Sequence, residues 1–273
     1  MPYHSLDWVI STRSGHLLSN RVRTARKELR EKGLDSLIVF HPFSTHSHAK
    51  IVVADDMQNG GFSALVGSCN WLSSGFRSFD ASVRSRDPIL VPEVLNVLAK
   101  LSRGRDGHWS PLTENLAKLS VSTAKQPPTK GREVSAALML GAHHGWFIRD
   151  ARDNAQHRIF VASYRRSEVG SRAVVVPAIA AAQDQRSVSS RIYYNRTSGQ
   201  MTQSGASDLI LASAGDKVTF RAVHAPRLHA KTLAWDDDSM VVSSLNWLSA
   251  DASPHRSLEE LAFTYVADAP QTT

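Results

Sequence analysis

His48-Ala49-Lys50-Ile51-Val52-Val53-Ala54-Asp55 returns later in the chain as His229-Ala230-Lys231-Thr232-Leu233-Ala234-Trp235-Asp236. Each copy runs on to the same close, Asn-Trp-Leu-Ser, at Asn70–Ser73 and at Asn246–Ser249. The interval between the two histidines equals the interval between the two aspartates. The repeat also extends outward. WVISTRSG (8–15) parallels IYYNRTSG (192–199), DSLIVFHPF (35–43) parallels KVTFRAVHAP (217–226), and Asp80-Ala81-Ser82-Val83 parallels Glu260-Leu261-Ala262-Phe263. A repeat of this period means a duplicated structural unit.

The repeated runs are rich in β-branched and aromatic residues and bounded by Gly, Ser, Asp and Pro, so they are expected to be strands. In an extended strand, residues two apart share a face, which would project His48 with Lys50 and His229 with Lys231. Residues 21–33, 92–101, 111–119, 146–157 and 173–182 are expected to be helical, with further strands at 158–163 and 191–195. The polar Pro-Gly stretch at 123–131 is the expected linker between a first half (1–122) and a second half (132–273). The second half spends residues 132–190 on elements for which the first half, starting at Trp8–Thr12, has no counterpart. The first lobe is therefore expected to be abbreviated. Something should cover its open edge: a preceding segment, a partner chain or a second copy.

Composition sets outer limits. With 273 residues, 42% hydrophobic and 21% charged, the chain can bury a substantial core. The net charge of +7 and pI near 9.7 lean towards a polyanionic partner. Cys69 is the sole cysteine, so no intramolecular disulfide can form. No basic-then-apolar leader and no long apolar span is evident, and a cytoplasmic location is the expectation.

The pattern H-x-K-x4-D followed by G-S-x-N resembles the phospholipase D superfamily, and the resemblance covers most of 8–83 and 132–266. It implies a two-lobed α/β/α sandwich with pseudo-twofold symmetry and one active site built from both HxK copies. It implies a metal-independent phosphodiester hydrolase without cofactor. One histidine attacks phosphorus and the other protonates the leaving oxygen, with His48 the expected nucleophile and His229 the acid. Lys50, Lys231, Asn70 and Asn246 are expected on the non-bridging phosphate oxygens, joined by Ser68 and Ser244. Asp80 and Glu260 are expected each to orient the histidine of the opposite half. Asp55 and Asp236 are expected to be structural, and Trp71 and Trp247 to pack. His143-His144 should be surface or capping residues, and His41 and His46 exposed loop residues.

The superfamily includes nucleases, phospholipases and phospholipid synthases, and fold does not choose among them. Arg23, Lys27 and Arg30 share one stripe of the 21–33 helix, opposite Val22, Ala25 and Leu29. A second Arg-rich stretch comprises Arg149, Arg152, Arg158, Arg165, Arg166 and Arg172. Such charge suits phosphate backbones, so a nucleic-acid substrate is the expectation. Phospholipid hydrolysis and a non-catalytic nucleic-acid-binding role are the alternatives.

Overall fold

The computed structural model describes residues 15–38, 40–41, 45, 47–56, 61–71, 77–103, 107–125, 134–197, 215–249 and 261–267. The first half contains α1 (Gly15–Glu31), β1 (Ile51–Asp55), β2 (Phe62–Gly67), β3 (Ser78–Phe79), β4 (Ser82–Ser85), α2 (Leu90–Leu101) and α3 (Pro111–Thr123). It is followed by β5 (Val134–Leu140), α4 (His144–Asn154), β6 (Arg158–Arg166), α5 (Glu168–Gln183) and β7 (Ser189–Thr197). The chain continues through β8 (Val218–Ala222), β9 (Arg227–Leu228), β10 (Thr232–Trp235), β11 (Ser239–Ser243) and β12 (Leu261–Ala267). The fold is mixed α/β around a central multi-stranded sheet. No helix among the described residues is long and apolar enough to cross a membrane.

Two compact units divide the chain. The first comprises 1–48, 53–64 and 85–129, and the second 49–52, 65–84 and 130–273. The division thus assigns Lys50, Asn70 and Asp80 to the same unit as the second HxK. The three strands β1, β2 and β4 form one small sheet in the order β1-β2-β4.

In the first unit, α2 and α3 pair. Helix α2 buries Leu90, Val91, Val94 and Leu95 on one side, the spacing of an amphipathic helix. Its N-terminus is held by the Asp87 carboxylate, which accepts from the backbone N–H groups of Ile89 and Leu90 at 2.8 and 3.0 Å. Helix α3 begins at the Ser110 cap, whose hydroxyl accepts from the Thr113 N–H at 3.2 Å, with Pro111 in the first turn where no N–H is needed. The Ser120 hydroxyl donates to the Pro92 carbonyl at 2.8 Å and ties the pair together.

The second unit is built on a seven-stranded sheet in the order β5-β12-β11-β10-β6-β7-β8. Strands β6, β7 and β8 are parallel, with α5 as the crossover from β6 to β7; β10, β11, β12 and β5 continue antiparallel. The core gathers Val174, Val175 and Ala178 of α5 against Val161, Ile192, Leu233 and Val241 of the sheet. Trp247 lies in this core at 2% exposure, so it packs as expected. Asp236 is structural too: its carboxylate accepts from the backbone N–H groups of Gln156, His157 and Arg158.

Several expectations need correction. The strand expected at 35–43 is not formed at its start: 35–37 is a turn after Gly33 (φ +66°) with Leu37 exposed, and Phe40 makes a single β-bridge, while 39, 42 and 43 lie outside the described residues. His41 is buried rather than exposed, because Phe40 beside it is drawn into the core and Arg26 lies over that ring at 5.8 Å. His144 is not a surface residue. It is fully buried, with Nδ1 3.0 Å from the Gly141 carbonyl and Nε2 2.6 Å from the Ser243 hydroxyl. The helix begins two residues earlier than expected, at His144, and its first turn directs that side chain inward. The strand at Trp8–Thr12, the patch expected beside it and His46 all lie outside the described residues.

Candidate active site

Strand β3 brings two distant parts of the sequence together. It pairs in parallel with β9, matching Ser78 to Arg227 and Phe79 to Leu228. The Phe79 carbonyl then accepts from the backbone N–H groups of His229 and Ala230 at 2.9 and 2.8 Å. Asp80, the next residue, therefore lands beside the His229 ring. Its Oδ1 lies 2.6 Å from His229 Nδ1 and also accepts from the Ser68 hydroxyl at 2.7 Å. With Asp80 accepting, the ring hydrogen sits on Nδ1 and Nε2 carries the lone pair.

Lys231 completes this side of the site. It is fully buried, its ammonium donates to the His229 carbonyl at 2.8 Å, and it lies 3.4 Å from His229 Nε2. His229 and Lys231 thus point the same way, although the HxK itself sits between β9 and β10 rather than inside a strand. The Tyr164 ring meets the His229 ring edge-on, with centroids 4.7 Å apart.

The charges of the site act on one another. Burial holds the His229 imidazole below its ordinary pKa; the Asp80 hydrogen bond opposes this, and the Lys231 and Lys50 charges reinforce it. Burial acts against the Asp80 carboxylate, but hydrogen bonds from His229 and Ser68 outweigh it and leave its pKa below the usual value. The resting pair is accordingly a neutral imidazole beside an ionised carboxylate.

The two motif copies share a set of local hydrogen bonds. The Lys50 carbonyl accepts from the Gly67 N–H at 3.3 Å, as the Lys231 carbonyl accepts from Ser243 at 2.9 Å. The Ser68 N–H donates to the Ala81 carbonyl at 2.9 Å, as Ser244 donates to Leu261 at 3.0 Å. In return the Ser68 hydroxyl accepts from the Ala81 N–H at 2.9 Å, and the Ser244 hydroxyl from the Leu261 N–H at 3.1 Å. Ala81 follows Asp80 as Leu261 follows Glu260, which itself lies outside the described residues.

Ser68 and Ser244 are fully buried, with their hydroxyls engaged by the backbone and, for Ser68, by Asp80. These contacts tie neighbouring segments of the chain together. Of the other expected residues, Lys50 is buried, Asn70 is exposed and Asn246 is partly buried. His48 is half-buried and belongs to the first unit. Arg23, Lys27 and Arg30 are exposed on α1, with Lys27 3.8 Å from Glu31.

Gly67 carries a steric requirement that its counterpart Ser243 does not share. A Cβ at Gly67 would stand 2.3 Å from the Ala81 carbonyl oxygen and 2.4 Å from the Ser82 hydroxyl. Ser243 instead directs its hydroxyl to His144. Gly67→Ala should therefore push the Asp80 segment off Ser68, costing about 1–3 kcal/mol by overpacking. The check is a denaturant titration alongside activity; unchanged stability and activity would show that the contact yields freely.

Sequence reasoning missed Tyr164 and the role of His144. Neither lies in a repeated motif, and each reaches the site only through the sheet. The Arg-rich stretch also dispersed: Arg152 pairs with Asp153, Arg158 with Asp237 and Arg172 with Glu168, while Arg166 is buried against Tyr194 and Phe220.

No family model and no curated protein matches the chain. Among solved structures it is similar to a phospholipase D family member, Nuc, from Salmonella typhimurium, at 17% identity over 50% of this chain and 84% of that one, TM-score 0.37. It is similar to NucT from Helicobacter pylori, at 13% identity over 50% of this chain and 87% of that one, TM-score 0.35. It is also similar to phosphatidylserine synthase from Haemophilus influenzae Rd KW20, at 11% identity over 78% of this chain and 57% of that one, TM-score 0.43.

Proposed function

We propose that this chain is a phosphodiesterase of the phospholipase D type that cleaves nucleic acid through a phosphohistidine. The observation that carries the reading is the pairing of Asp80 with the buried His229, beside Lys231 and within reach of the Lys50 charge. A carboxylate-oriented imidazole next to buried ammonium groups suits a reaction that must hold negative charge and move one proton.

In the first step His48 attacks phosphorus, forming a P–N bond as the P–O bond to the leaving group breaks. His229 Nε2 gives its proton to that leaving oxygen. Water then attacks phosphorus, loses its proton to His229, and the P–N bond breaks to restore His48. Lys50 and Lys231 offset the charge on the non-bridging oxygens. The substrate's own negative charge counters both lysines and favours the imidazolium, so the acid is charged when phosphate enters. Asn70 and Asn246 complete the phosphate contacts, and Glu260 is assigned to orient His48.

The pH dependence tests these roles. The pKa of His229 lies below the ordinary histidine value, and kcat/KM reports the free enzyme. If His229 is the acid, its protonated form is required. The activity it supports should then fall as pH rises through that lowered pKa. A limb that rises with pH there, abolished by His229→Ala, would make His229 the nucleophile.

The direct assay uses bis(p-nitrophenyl) phosphate, a single-stranded oligonucleotide and phosphatidylcholine vesicles, all in EDTA. Turnover of the first two is expected and slow or no release from the vesicles. Strict dependence on an added divalent ion, or preference for the vesicles, would overturn the proposal.

A further inference from the structure

Three arginines converge on Tyr164, the ring that also touches His229. The guanidinium of Arg196 lies 4.6 Å from the ring centroid, that of Arg227 5.0 Å and that of Arg165 5.6 Å, with the Lys231 ammonium at 5.7 Å. Arg227 also donates to the Tyr164 hydroxyl. Tyr164 itself is buried at 6% exposure, so its face is occupied by these cations and not offered to a stacking base.

The arrangement is electrostatically one-sided. Arg165 and Arg196 sit directly opposite each other in the parallel pairing of β6 and β7, a placement in which like charges repel. Among the described residues no carboxylate pairs with Arg165, Arg196 or Arg227. Of the other arginines on β6 and its flanking helices, Arg152, Arg158 and Arg172 each have an acidic partner, and Arg166 is buried against Tyr194 and Phe220. All three side chains are exposed, so an anion from solution can reach them. Cation–π contact holds the guanidinium groups in place while leaving N–H donors for a phosphate oxygen.

We propose that Arg165, Arg196 and Arg227 form a second phosphate subsite, which receives the phosphate next to the one being cleaved at His229. The inference rests on the phosphodiesterase reading and narrows it. A lipid headgroup with a single phosphodiester leaves this subsite empty, whereas a nucleic-acid strand supplies a flanking phosphate at every step. Bidentate contact from guanidinium is the chemistry such a site needs.

The test compares Arg165→Gln, Arg196→Gln, Arg227→Gln and the triple variant with the wild-type chain. Two substrates are used, an oligothymidylate and bis(p-nitrophenyl) phosphate, which carries one phosphodiester only. The kcat/KM on the oligonucleotide is expected to fall about tenfold per arginine. The loss on the chromogenic diester should be smaller by at least that factor in the triple variant. In parallel, the rise in Tm produced by the oligonucleotide, and by tripolyphosphate, should shrink in the triple variant. Equal losses on both substrates, or an undiminished Tm shift, would overturn the subsite. If the wild type cleaves nothing yet its Tm shift depends on the three arginines, the phosphodiesterase reading fails and the anion site stands. A response to tripolyphosphate without one to the oligonucleotide would assign the subsite to another phosphate chain and refute the nucleic-acid assignment. Removing repelling charges should leave the Tm of the free triple variant at or above that of wild type; a fall would show the arginines are structural.

Discussion

His229→Ala should lower kcat on every phosphodiester substrate by at least about 10⁴-fold, and His48→Ala should do the same. Nucleophile and proton donor act as one unit, so removing either leaves only binding and charge stabilisation. The double variant should then be hardly slower than either single one. The two sites separate in the covalent intermediate. With a substrate labelled at phosphorus, rapid acid quench should trap label on the wild-type chain and none on His48→Ala. A leaving group such as p-nitrophenolate needs little protonation, so His229→Ala should still accumulate label on that substrate. Label retained in His48→Ala and absent from His229→Ala would reverse the roles; full turnover in either variant would end the mechanism.

Asp80→Asn is the second large effect, expected at roughly 10²–10⁴-fold in kcat with KM little changed, because the lost contribution is to the imidazolium and not to substrate contact. Asp80 accepts from His229 at 2.6 Å and is among the causes that raise the histidine's pKa against burial. Removing its charge should drop that pKa further, and the His229-dependent limb should move to lower pH. A purely structural Asp80 would lower Tm without moving the limb. Ser68→Ala, which removes the hydroxyl that holds Asp80 Oδ1 at 2.7 Å, should show the same shift to a lesser degree, about tenfold in rate.

The candidate site residues could be nominated from sequence because they recur in matched order. His229, Lys231, Ser244 and Asn246 belong to one local stretch, as do Lys50, Ser68 and Asn70 to the other, and local spacing survives folding. Helices α2 and α3 were legible from a Pro start and apolar periodicity. Residues 35–37 turn instead of opening the expected strand because period-two apolarity does not supply a pairing partner. His144 was misplaced because adjacent histidines say nothing about which one a helix turns inward; the contact with Ser243 on β11 settles that. The burial of Ser68 and Ser244 was not legible either, since a motif records residue types and not whether a hydroxyl faces solvent or the neighbouring strand.

The sequence by itself determined the duplicated HxK pattern, the residue types available for phosphoryl chemistry and the α/β character of the chain. These are properties of composition and short-range periodicity. Tertiary structure alone decided that Asp80 meets His229, through the parallel pairing of β3 with β9. It also decided that Arg165, Arg196 and Arg227 gather on Tyr164 while Arg152, Arg158 and Arg172 find carboxylates. Both outcomes depend on strand order and register, which set which side chains share a few ångströms of space. Contacts between residues this far apart in the chain are fixed by the packing of the whole sheet, and no local stretch of sequence encodes them.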